Sequence, residues 1–95
     1  NAYPAEIEGF LLEHPAVAQA AVIGVPDERL GQVGKAFLVT QTTDGNPPPS
    51  ADEMIAWSRC RMAGFKVPRY VEFLDELPLN ATGKVMKDKL KDHHR

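Results

Sequence analysis

Apolar positions change period along the chain, and each change marks an element. Ile7, Phe10, Leu11 and His14 recur at helical spacing before Pro15 stops the run, so a short helix is predicted over residues 4–13. Pro4 suits a first helical turn, and Glu6 and Glu8 complement the positive end of the helix. From Val17 to Val25 the chain is apolar except for Gln19 and Gly24, and Pro26-Asp27 closes the run. Its valine and isoleucine content predicts a strand covered on both faces. A second strand is predicted from Lys35 to Thr42, through Ala36, Phe37, Leu38 and Val39. The polar turn Asp27-Glu28-Arg29 and the glycines Gly31 and Gly34 lie between them. This implies an antiparallel pair joined by a wide loop of about nine residues.

Thr43 to Pro49 has loop chemistry, and three prolines in it cannot join a central strand. Ser50 with Glu53 three positions on is a capping box, and the helix it opens is predicted to run to about Ala63, before Gly64. Ala51, Met54, Ile55, Ser58 and Met62 share one face of it, with Trp57 flanking, which is the pattern of a core face. A basic link, Phe65 to Arg69, leads to a third strand at Tyr70 to Leu74 with Val71 and Phe73 on one face. After the acidic turn Asp75-Glu76 comes the loop Pro78 to Lys84, then a final helix from Val85 with Met86–Leu90 and Lys87–Lys91 at i, i+4. His93 and His94 are expected in a frayed end. The order helix, strand, strand, helix, strand, loop, helix predicts an α+β fold, a small three-stranded sheet with helices packed on it.

Ninety-five residues make one small domain. Beginning at Asn1 and passing directly into helix-like sequence, the chain reads as a piece of a larger protein. It carries no run long enough to cross a membrane as a helix and no signal-peptide pattern. Cys60 is the single cysteine, which excludes an internal disulfide and fits a cytoplasmic setting. Charge is uneven: residues 1–60 hold eight acidic and three basic side chains, whereas residues 84–95 hold five basic and two acidic. A basic end of that size suits phosphate-bearing small molecules and argues against nucleic acid as a partner.

Candidate chemistry concentrates in two places. Lys84 is the one cation of the Pro78–Lys84 loop, whose turn residues include Asn80, Thr82 and Gly83. A lysine on a glycine-hinged loop can reach an anion that its own domain does not hold. A phosphate-binding P-loop would need glycine at Pro78 and a hydroxyl residue at Val85, so that reading fails, and Gly31-x-x-Gly34 is too short for a nucleotide loop. Phe65, Lys66 and Arg69 combine an aromatic face with cations, as a nucleotide requires, although a plain helix-to-strand connection has the same composition. His14 lacks companions at metal-ligand spacing, and Cys60 lacks a paired histidine to activate it. No metal site is predicted.

Six segments in register carry a resemblance to a known family. Tyr3-Pro4-Ala5-Glu6-Ile7-Glu8, His14-Pro15-Ala16-Val17 and Ala21 to Asp27, followed by Phe65 to Arg69, Leu77-Pro78 and Thr82-Gly83-Lys84-Val85, resemble the C-terminal domain of AMP-forming acyl-CoA synthetases. The resemblance covers nearly the whole chain and is loosest at residues 42–50 and after Leu90. It implies a two-step ligase, fatty-acid or other carboxylic acid, that uses ATP with Mg2+ and then CoA. The partner is the enzyme's own N-terminal domain, which holds the adenylate and acyl pockets and is absent from this chain. Lys84 is implied as the cation of the adenylation step, with Gly83 and Thr82 supporting its loop. For the second step the resemblance implies rotation about a hinge before Asn1. It also places Phe65, Lys66 and Arg69 near CoA, with Val67 standing where a relative has a basic residue. Lys87 stands where many members have arginine. Peptide-synthetase adenylation domains and luciferase-like enzymes share the architecture, and a non-catalytic α+β interaction module is the reading outside enzymology. On the ligase reading this chain folds alone but does not catalyse alone.

Overall fold

The valine-rich run forms β1 (Val17–Asp27), which turns tightly into β2 (Gly31–Thr40) in the computed structural model. The structure describes residues 3–29, 31–42, 45–62 and 64–94, apart from the side chains of Tyr3, Phe65 and His94. The two strands pair antiparallel from Val17–Thr40 to Asp27–Gly31, with a bulge between Val17 and Gln19. The wide loop expected between them is therefore a hairpin. Gly31, Gln32 and Gly34 have weak strand propensity, but pairing with an apolar partner strand overrides it, and Pro26 is carried near the end of an edge strand.

Helix α1 (Tyr3–Leu11) packs on β1, and α2 (Ala51–Arg59) carries the chain across to β3 (Tyr70–Phe73). β3 lies parallel to β2, giving the order β1-β2-β3. Parallel neighbours need such a crossover, and α2 supplies it. A single 3-10 turn, Gly64–Lys66, sits in the link, and α3 (Lys87–His94) ends the described chain.

Side chains alternate across the sheet and build a core on each face. Val17, Val22, Ala36 and Leu38 meet Ile7 and Leu11 of α1 and Met54 of α2 on one side. Ala21, Ile23, Val25 and Phe37 meet Leu77 and Leu90 on the other. Both faces of β1 are covered, as its unbroken apolar run requires. Leu11, Phe37, Leu38 and Met54 are fully buried, each worth about 1.5–3 kcal/mol in transfer out of water. Among the described residues no buried side-chain polar atom lacks a partner, and no helix is long and apolar enough to cross a membrane.

Several boundaries differ from the sequence expectation. The capping box forms as expected: Ser50 N–H donates to Glu53 Oε1 at 2.9 Å and Glu53 N–H to Ser50 Oγ at 3.1 Å. α2 nevertheless ends at Arg59, with Cys60 as its cap, and only a turn continues toward Met62. α3 begins at Lys87 rather than Val85, because Val85 is held in an antiparallel bridge to Leu79. Phe73 is 36% exposed, since the β2–β3 pairing stops at Leu38–Phe73 and leaves it at the end of the sheet. His93 is part of α3, and its Nδ1 lies 2.6 Å from Glu72 Oε2. His14 has the structural role its helix-end position suggests: its Nδ1 accepts from Ala16 N–H at 3.0 Å, and its ring meets Trp57 edge-on.

Candidate functional site

The Pro78–Lys84 segment is a closed miniature hairpin. Met86 N–H donates to the Pro78 carbonyl at 2.8 Å, Leu79 bridges Val85, and Asn80 N–H donates to the Lys84 carbonyl at 2.9 Å. Proline at position 78 offers only its carbonyl, which is the group the pairing uses. Gly83 N–H closes the tip on the Asn80 carbonyl at 3.0 Å, and Gly83 adopts φ 85°, where a Cβ is strained. Inside the tip one oxygen does most of the organising. Asn80 Oδ1 accepts from Thr82 N–H at 2.9 Å, from the Thr82 hydroxyl at 2.7 Å and from Lys84 N–H at 3.0 Å. The carbonyl of an asparagine can accept more than one donor, and an Asx turn is its usual local use.

The base of this hairpin is fastened to the sheet. Leu77 and Leu90 are buried beside Ala21, Ile23, Val25 and Phe37, with Val85 packed against them. Beyond the hairpin, α3 is held by two carboxylates. Lys87 Nζ lies 3.0 Å from Glu8 Oε2, and Glu72 is shared by His93 and by Lys35, whose Nζ is 2.9 Å from Oε1. Lys35 is 7% exposed and lies over the Phe37 ring. Glu8 Oε2 also accepts from Val22 N–H on β1 at 2.7 Å. The part-exposed pairs made by Lys87 and His93 contribute little stability, so their main effect is to orient α3. Lys84 itself is exposed, and among the described residues no ion pair engages its ammonium.

The second candidate region is the Gly64–Arg69 link. It separates two open clefts, of about 530 and 600 Å³, and Arg69 lines both. The first has apolar walls from Ile7, Val22 and Val67 with Lys66, Arg69 and Lys91 at its margin. The second is lined by Asp52, Ile55, Arg59, Val67, Pro68 and Arg69. Arg69 is exposed, its N–H donates to the Gly34 carbonyl at 2.9 Å, and no ion pair engages its guanidinium among the described residues. Lys66 is committed to Glu6 at 2.8 Å, which ties the link to α1. Phe65 lies in the 3-10 turn, and its side chain is outside the described residues. Lys84 lines neither cleft, so the two candidate regions are separate surfaces of the domain.

The sequence reading put Thr82 and Gly83 in support of Lys84 but did not give Asn80 that role. The signal was present, because an asparagine two residues before a Thr-Gly pair is Asx-turn chemistry. It also did not assign Arg59 and Lys91 to the clefts.

Residues 6–84 match the model of the AMP-binding enzyme C-terminal domain. The chain belongs to that family. This AMP-binding enzyme C-terminal domain is 50% identical over 91 residues to a feruloyl-CoA synthase of Amycolatopsis sp, covering 96% of this chain and 18% of the relative. It is 44% identical over 92 residues to a 2-succinylbenzoate–CoA ligase of Bacillus subtilis, covering 97% of this chain and 18% of that protein. Among solved structures, a Mycobacterium tuberculosis fatty acyl CoA synthetase superposes with a TM-score of 0.83 at 34% identity, covering 96% of this chain and 17% of that one. The α+β fold and the resemblance to acyl-CoA synthetases both hold. The chain spans under a fifth of the length of these relatives.

Proposed function

We propose that this chain is the C-terminal lid of a two-domain, AMP-forming acid–CoA ligase, and that Lys84 is its cation for acyl-adenylate formation. The observation that carries the reading is an unpaired, exposed lysine at the tip of a hairpin whose base is anchored in the core. Among the described residues no ion pair engages the Lys84 ammonium. Adenylation brings a carboxylate against the α-phosphate of ATP, and the growing charge needs a cation fixed in a site closed to water. Lysine serves as a point charge there, and Gly83 beside it lets the backbone come close.

The acid is left open between fatty and aromatic acids, both of which the relatives' names carry. Mg2+ enters as the companion of ATP. Among the described residues no group of three or more His, Cys, Asp or Glu is placed to hold it, so its ligands belong to ATP and to the N-terminal domain. CoA is assigned to the Gly64–Arg69 surface, where Arg69 is free to meet a phosphate and the first cleft offers apolar walls. Because Lys84 and Arg69 lie on separate surfaces, the domain presents one to each half-reaction, and rotation about a hinge before Asn1 exchanges them. A cytoplasmic setting suits the free, exposed Cys60.

The deciding experiment is Lys84→Ala in the full-length ligase. Adenylate formation, followed by pyrophosphate exchange, is expected to fall by about two orders of magnitude or more. Thioester formation from supplied acyl-adenylate should stay near the wild-type rate. Equal losses in both half-reactions would refute the assignment.

A further inference from the structure

We infer that Asn80 is the positioning residue for the catalytic lysine, holding the loop tip as a preformed unit through a single side-chain oxygen. This rests on the reading of Lys84 given above and extends it to a residue that has no contact with the reacting atoms.

Three donors converge on Asn80 Oδ1, and they come from the two residues that flank Gly83. One of them is the backbone N–H of Lys84 itself. The Asn80 backbone meets the same residue from the other side, its N–H donating to the Lys84 carbonyl. Asn80 therefore holds Lys84 by both main-chain polar groups, one through its side chain and one through its backbone. A lysine carries four rotatable side-chain bonds, so the position of its ammonium depends on a fixed Cα from which those bonds start. The Leu79–Val85 bridge and the two backbone bonds between Asn80 and residues 83 and 84 close the hairpin, but they leave the N–H groups of Thr82 and Lys84 to the Asn80 side chain, and Gly83 at φ 85° adds freedom there. Without the Asn80 oxygen the tip is a glycine-containing turn with three donors returned to water. Entry of Lys84 into the other domain would then have to order the tip as well as dock it, and a misplacement of about 1 Å at a catalytic group costs about a hundredfold in rate.

The alternative is a role in stability alone, and it makes a different prediction. An exposed turn that only stabilises the domain would affect both half-reactions, or neither, because both use the same folded lid. A positioning residue affects only the step in which Lys84 is engaged.

The test compares wild type, Asn80→Ala, Asn80→Asp, Lys84→Ala and the Asn80→Ala/Lys84→Ala double variant of the full-length ligase in the two half-reactions separately. Asn80→Ala is expected to lower kcat for adenylation about ten- to a hundredfold with KM for ATP unchanged. Thioester formation from supplied acyl-adenylate should stay within about twofold of wild type. Aspartate keeps the acceptor oxygen in place, so Asn80→Asp should recover most of the lost rate. In the Lys84→Ala background, Asn80→Ala should cost nothing further, since the two residues act as one unit. If Lys84→Ala leaves adenylation intact, the reading of Lys84 fails and this inference with it. If Lys84→Ala is crippled while Asn80→Ala runs at the wild-type rate, slows both half-reactions alike, or adds its loss to that of Lys84→Ala, the assignment of Asn80 alone is overturned.

Discussion

Gly83 shows how much one backbone angle decides at the lysine loop. At φ 85° a Cβ costs about 1 kcal/mol in local strain, although it would meet nothing within 4 Å. Gly83→Ala is therefore expected to change the melting temperature by only a few degrees, about what that strain gives in a small domain, while slowing adenylation well beyond what the lost stability explains. Gly83→Asn, which visits the left-handed region more readily, should lie between the two; half-reaction rates set against melting curves check the order. The turn at Gly83 was legible from its residue types, whereas the role proposed for Lys84 came from the family resemblance. Asn80 was legible only as a turn residue. Which N–H groups its oxygen collects depends on the closing of the Leu79–Val85 bridge, and no local pattern announces that pairing.

At the scale of elements, the sequence was most informative where one residue type imposes the geometry. The Ser50–Glu53 box sits where it was expected, and Ser50 holds the Glu53 carboxyl below its ordinary pKa, through its backbone N–H first and its hydroxyl second. The sign follows from linkage. A carboxylate with a depressed folded-state pKa stabilises the fold above its unfolded-state value, and that contribution disappears as pH falls through the depressed one. Acid titration of stability should therefore lose part of its slope in Glu53→Gln, at pH values below the ordinary glutamate range, with no difference between the proteins' pH profiles near neutrality. Ser50→Ala should lower stability by about 1 kcal/mol, read from a denaturant midpoint. The hairpin and the start of α3 were misjudged for a shared reason. Gly31, Gln32 and Gly34 look like loop until β1 is laid beside them, and Val85 looks helical until Leu79 claims it. In both places pairing with a neighbouring segment overrides local propensity. His93 is a third case, drawn into α3 by Glu72 from another element.

For the molecule as a whole, the proposed function asks one sheet to carry both the Lys84 hairpin and the Arg69 link. Arg69→Ala in the full-length ligase is expected to raise KM for CoA about tenfold, as loss of one charged contact would, with little change in KM for ATP. Steady-state kinetics decides it, and an unchanged KM for CoA removes Arg69 from the site. The fold class was readable from the order of elements, and so was burial of β1 on both faces. The parallel pairing of β3 with β2 was not, because pairing direction is a property of the crossover through α2 and of no single segment.

The contact between Glu8 and Val22 has a consequence for association. β1 is an edge strand, and an edge strand invites another chain to add to it. Here Glu8 Oε2 occupies the outward N–H of Val22, and Pro26, four residues on and facing the same way, has no N–H to give. The carboxylate that pairs with Lys87 of α3 thus also occupies one of the edge positions at which another copy could add. Glu8→Ala should produce concentration-dependent oligomers by sedimentation velocity, whereas Lys87→Ala, which loosens α3 but leaves the edge covered, should sediment as a monomer.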